Sequence, residues 1–158
     1  MDLRAHLLVP TPKNPDKGVW FIFHHEPDGI LAIDLAHRHS DLPYRYFEQL
    51  ADHEPCDKNI LCGGPMQNDT AMIVLHNDLN AAPDPHIINK SFSFFSRKFM
   101  LVPGQKPHFT NAAEEPSKIM LAPTADFIIT MGFRLFDMDA LEKELQEWQW
   151  TILPADPA

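Results

Sequence analysis

Nine histidines and 22 aspartates and glutamates supply the raw material for metal binding or acid–base catalysis, so their spacing decides what they can do. His24-His25-Glu26 closes a stretch with strand character, and alternation along a strand sends the two rings to opposite faces, out of joint reach of one ion. His37-Arg38-His39 places two imidazoles on one side of an extended chain, but no third ligand follows at the spacing structural metal sites use. Neither a metal nor a cofactor is expected. There is no GxSxG, and neither Cys56 nor Cys62 has flanks that mark an activated thiol, so no catalytic residue is nominated. The cysteine spacing fits neither a CxxC motif nor a zinc knuckle and reads as two reduced thiols. Gly63-Gly64-Pro65 could offer amides to an anion, yet it lacks a phosphate-loop context and reads as a tight turn that needs positive φ. Phe92, Phe94 and Phe95 beside Arg97 and Lys98 have the types that stack on bases, and in an acidic chain they read as core.

The charge balance supports that reading. Lysine and arginine total 13 against 22 acids, a formal charge of −9, which repels polyanions where basic residues do not cluster. Direct nucleic-acid binding is not expected. No apolar stretch approaches the roughly 20 residues a membrane span requires, and Asp2, Arg4 and His6 interrupt the N-terminus, so the expected location is the cytoplasm. At 158 residues, 44% hydrophobic and 22% charged, the chain has the length and composition of one folded domain, 1–158. Fifteen prolines against six glycines imply stiff connections.

Strands must do most of the positioning. Residues 6–9, 18–25, 29–35, 59–62, 71–76, 98–102, 126–132 and 149–153 carry strand patterns, with His25-Glu26-Pro27-Asp28 suited to a hairpin turn. Between 87 and 95 the alternation is less clean. Apolar spacings of three and four predict a helix over 42–53, and Pro116 near the start with an apolar end at Ile119, Met120 and Leu121 halted by Pro123 points to a short helix over 112–121. A last helix follows Asp139, which with Glu142 resembles a capping box, and Leu141, Leu145 and Trp148 fall on its inner face. Runs of strands with few helices between them argue for an α+β fold with a curved, mostly antiparallel sheet.

Three stretches, in this order, resemble the bacterial YqgE/AlgH family. HLLVPTPKNPDKGVWFIFHHEPDGILAIDL, residues 6–35, is similar to the family's opening unit, with His25 at its turn histidine. GGPMQNDTAMIVLH, residues 63–76, resembles its GGP turn and the strand that ends in Leu-His. MGFRLFDMDALEKELQEWQWTILPAD, residues 131–156, resembles its closing Gly-aromatic, Leu-Glu helix and Trp unit. The chain departs from the family where a glycine- and tryptophan-rich segment is replaced by residues 134–140, and an arginine of the GGP loop has no clear counterpart near Asp69-Thr70.

The resemblance implies a bifurcated sheet curled into a pseudo-barrel with a few flanking helices, and no established enzymatic activity. Some members carry the label of transcriptional regulator. With a charge of −9, a regulatory role here is expected to run through an unknown protein partner. The expected surface is the turn at His25, the loop Gly63, Gly64 and Pro65, and His76, because strand ends and glycine-bearing loops commonly carry sites. The competing class is a small metal-assisted or His/carboxylate hydrolase built from His24, His25, His37, His39 and His76, which requires three of those rings to converge.

Overall fold

The computed structural model describes residues 2–37, 61–66, 71–78, 86–88, 92–100, 108–109 and 127–155. The helices expected over 42–53 and 112–121 lie outside them, as do His39 and Cys56. The first sheet contains β1 (His6–Pro10), β2 (Trp20–Glu26), β3 (Gly29–Asp34), β10 (Arg134–Asp137) and β11 (Trp150–Pro154), in the order β10-β3-β2-β1-β11. The second contains β4 (Leu61–Cys62), β5 (Ala71–His76), β6 (His86–Ile87), β7 (Ser93–Met100) and β9 (Phe127–Met131), in the order β4-β9-β5-β7-β6, with β8 (His108–Phe109) paired to β7. Every pairing is antiparallel except β4 with β9. The architecture is two mostly antiparallel sheets with one helix among the described residues, α1 (Met138–Gln146). The strand pairings of the described residues do not close a barrel.

The first sheet is covered on both faces, which is why β2 and β3 read as nearly unbroken apolar runs. Against one face α1 packs Leu141, with Trp20, Ile22, Ile30, Phe136 and Trp150 in the same cluster. Phe136 meets Trp20 and Trp150 edge-on at 5.6 and 5.8 Å, a favoured arrangement for aromatic quadrupoles. On the other face Phe21, Phe23 and Ile33 pack on Ile73 and Leu75 of the second sheet and on Ile88, which follows β6. A β-bulge interrupts the β2–β3 register: Ile22 faces Ala32 and His24 faces Leu31, so Phe23 is an extra residue on β2.

Two features of the chain's last third correct the sequence reading. The helix is capped by Asp137, whose carboxylate accepts from Ala140 N at 3.1 Å, and Asp139 lies in the first turn. The cap is set by the sheet, since β10 stays paired to β3 as far as Asp137 opposite Gly29. The helix also ends earlier than its apolar spacing suggests. Glu147 is the C-cap and Trp148 follows at φ 59°, so its side chain leaves the inner face and is 72% exposed. Upstream, Gly132 (φ 81°) turns the chain from β9 of one sheet into β10 of the other, a left-handed conformation that glycine adopts without steric cost.

Candidate functional site

Polar side chains gather at the corner where the GGP turn crosses from the second sheet to the first. Gly63 N donates to Met131 O and Asp34 N to Gly63 O, both at 2.8 Å, while Met66 and Phe133 exchange backbone bonds of 2.9 and 3.1 Å. A Cβ on Gly63 would lie under 3.0 Å from Gly132 O, and one on Gly64 under 3.0 Å from the Phe133 carbonyl. The glycines are therefore required by close backbone approach. The φ of Gly64, 158°, is far from the left-handed turn expected from the motif.

Beside this turn, the buried Asp34 carboxylate accepts from Val19 N at 3.1 Å and Ala36 N at 2.8 Å through Oδ1. Its Oδ2 receives the Nδ1–H of the half-exposed His37, which leaves Nε2 as that ring's acceptor. An Asp–His pair of this kind orients an imidazole for proton transfer or metal binding. Cys62 reaches His37 through the backbone, N to O at 2.9 Å. The amide bonds of Asp34 also give it a complete role in tying the end of β3 to the preceding loop.

Asp16 and Arg134 form a second polar unit at the same end of the sheet. Arg134 donates to Asp16 Oδ2 at 2.7 Å, and Oδ1 accepts from Gly18 N at 2.7 Å and the Trp20 indole at 3.2 Å. Burial raises the Asp16 pKa, but these donors and the guanidinium outweigh it and hold the carboxyl below its ordinary value. The guanidinium sits 4.0 Å from the Phe136 ring centre and 5.0 Å from that of Trp20. Nothing local in the sequence marks a pair 118 positions apart.

The residues expected to form one surface lie in different places. His25 faces Ile30 and Asp34 faces Trp20, so His25 and the Asp34–Gly63 contact are at opposite ends of the β2–β3 hairpin. His25 Nδ1 accepts from Leu3 N at 3.0 Å, so the approach of Asp2 to within 3.9 Å is not an ion pair at that nitrogen. Asp2 is instead held at about 2, first by its side-chain bond from Arg4. His76 faces Phe127 at one end of β5, whereas Met72 faces Met131, the partner of Gly63, at the other. His76 is buried, which pushes its pKa down against the opposing pull of Asp78, whose amide donates to Nδ1 at 3.2 Å. His24 donates from Nε2 to Glu26 at 3.0 Å. Each described histidine of the hydrolase hypothesis thus has its own separate surroundings, and no three His, Cys, Asp or Glu among the described residues are grouped to hold a metal. No helix among them is long and apolar enough to cross a membrane.

Trp148, which helical spacing places inside, is the exposed feature that sequence reasoning missed. Trp148 N donates to Leu145 O at 3.1 Å and Gln149 N to Glu144 O at 3.0 Å, the paired bonds of a Schellman motif with tryptophan where glycine is usual. Thr11 Oγ1 donates to Trp148 O at 2.6 Å, and Asn14 Nδ2 to Gln149 O at 3.1 Å.

Comparison with known proteins agrees with the arrangement of strands. A UPF0301 protein of Sodalis glossinidius is 24% identical over 175 residues, covering 99% of this chain and 82% of its own length. The UPF0301 protein YqgE of Salmonella paratyphi B is 25% identical over 168 residues, with the same coverage of 99% and 82%. The solution structure of AlgH from Pseudomonas aeruginosa shares the fold, with a TM-score of 0.63 at 23% identity over 98% of this chain and 78% of that one. A crystal structure of DIP2367 from Corynebacterium diphtheriae superposes with a TM-score of 0.66 at 15% identity, covering 99% and 78%. The AlgH-like family profile matches residues 10–158, and this chain belongs to that family.

Proposed function

We propose that this protein acts by contacting another protein, in a regulatory role without turnover of a substrate, and that Trp148 anchors the contact. The observation that carries the reading is a large apolar ring, 72% exposed, on a backbone held at φ 59°. The left-handed conformation costs an L-residue about 1–2 kcal/mol, and glycine would avoid that cost. Two side chains and two helix-end bonds nevertheless hold the backbone in place, so the ring is presented with little ordering left to lose on binding. Exposed tryptophans on ordered backbone are the kind of residue that dominates protein interfaces.

The GGP turn contributes to this proposal through Pro65 and Met66, which are exposed while Gly63 and Gly64 are buried. His25 and His76 enter it as separate positions. A formal charge of −9 supports a protein partner over DNA. The test is affinity capture from the organism that encodes the chain, comparing the full-length protein with Trp148→Gly. A protein retained by the former and lost by the latter, with folding preserved, is the expected result. Identical retained sets would overturn the reading.

A further inference from the structure

We propose that a groove on the β2–β3–β10 corner receives a single lysine or arginine side chain from a partner protein. It has a volume of about 200 Å³ and is lined by His24, Glu26, Asp28, Gly29, Leu31 and Leu135. That is smaller than the roughly 300–1,000 Å³ of drug-sized ligand sites and suits one long side chain.

The strand register builds it. His24, Leu31 and Leu135 form one cross-strand row, and Glu26, Gly29 and Asp137 form the next. The β-bulge at Phe23 sets which residues of β2 fall in that row. Glycine at 29 keeps the floor low, since a Cβ there would come within 3.1 Å of Leu135 Cδ1. Leu135 is 53% exposed and Leu31 half-buried, so the walls offer apolar surface for an aliphatic stem.

The charge on the rim selects the head group. Glu26 and Asp28 line the groove, Asp137 lies next to Gly29 in register, and among the described residues no lysine or arginine lines it. His24 Nε2 donates to Glu26 Oε1, which leaves Oε2 for an incoming cation. An apolar floor with a negative rim rejects acidic side chains and leaves a neutral apolar one without a partner for the carboxylates. The proposal extends the protein-contact reading to a second surface, beside the N-terminal end of α1, whereas Trp148 follows its C-terminal end.

The test is an NMR titration of the full chain with acetyl-Gly-Arg-Gly-amide, alongside the same peptide carrying norleucine or glutamate in the centre. Saturable shifts at the amides of His24, Glu26, Gly29, Leu31 and Leu135 are expected with the arginine peptide alone. The isosteric double variant Glu26→Gln, Asp28→Asn is expected to weaken binding by about fivefold, with the single Glu26→Gln intermediate. Equal shifts from norleucine, shifts confined to other surfaces, or unchanged affinity in the folded variants would overturn the proposal. Partner capture through Trp148 is scored on separate samples, so either reading can fail while the other stands.

Discussion

Replacing Gly64 by alanine tests the claim that the GGP turn is held by close backbone approach. The added Cβ would lie under 3.0 Å from the carbonyl carbon and oxygen of Phe133 and from Arg134 N, all of them backbone atoms with little freedom to yield. Relief requires the turn to move by about 1 Å, taking its hydrogen bonds beyond useful length. Four backbone bonds anchor it: Gly63 to Met131, Asp34 to Gly63, and the reciprocal Met66–Phe133 pair, all between 2.8 and 3.1 Å. Each contributes a net 0.5–1.5 kcal/mol, roughly, so losing two to four of them costs about 3 kcal/mol. For a chain of this length that lowers the melting temperature by about 6–12 °C. Urea unfolding at fixed temperature is the assay, with an unchanged m-value required for the comparison. Gly64→Asn separates the two explanations: asparagine tolerates a left-handed turn but still carries a Cβ, so it should be as damaging as alanine. A cost below about 1 kcal/mol for alanine, or a return to wild-type stability with asparagine, would refute the reasoning.

Asp137→Ala should cost about 1 kcal/mol through loss of the helix cap, while Asp139→Ala stays within about 0.5 kcal/mol; equal effects in thermal melts would return the cap to Asp139. Because the folded pKa of His76 is depressed, the unfolded chain binds its proton first. The stability from a neutral His76 is complete above the unfolded value of 6.5, falls as pH drops below it, and levels off under the folded pKa. His76→Gln should flatten that window in melts between pH 7 and 4, and parallel curves would count against it. Trp148→Gly should change stability by no more than about 1 kcal/mol, since relief of backbone strain offsets the little burial lost, whereas Trp150→Ala, at a site 5% exposed, should cost about 3–5 kcal/mol. Similar losses in the two would argue that Trp148 is a packing residue.

The acidic charge, with basic residues dispersed along the sequence, favours the proposed protein partner over a polyanion, and the described histidines occupy unrelated positions. The proposed contact surface draws on an exposed aromatic anchor and an acidic groove and requires no shared chemistry among them.

What could be read from the residues was what depends on near neighbours. Runs of β-branched and aromatic residues in GVWFIFHH and GILAIDL mark β2 and β3, the residues between them mark the turn, and the order of the motifs marks the family, which the profile match bears out. Side-chain alternation and turn geometry are set within a few residues by backbone sterics. The tertiary structure alone decided that Gly63 meets Asp34, that Arg134 reaches Asp16, and that His25 and the GGP turn lie at opposite ends of one hairpin. It also moved the helix cap to Asp137 and turned Trp148 outward, where local spacing placed the cap at Asp139 and the ring inside. These outcomes follow from strand register, one bulged residue and the point at which a strand leaves its sheet. Each is settled by packing between segments distant in the chain, so no window of neighbouring residues contains it.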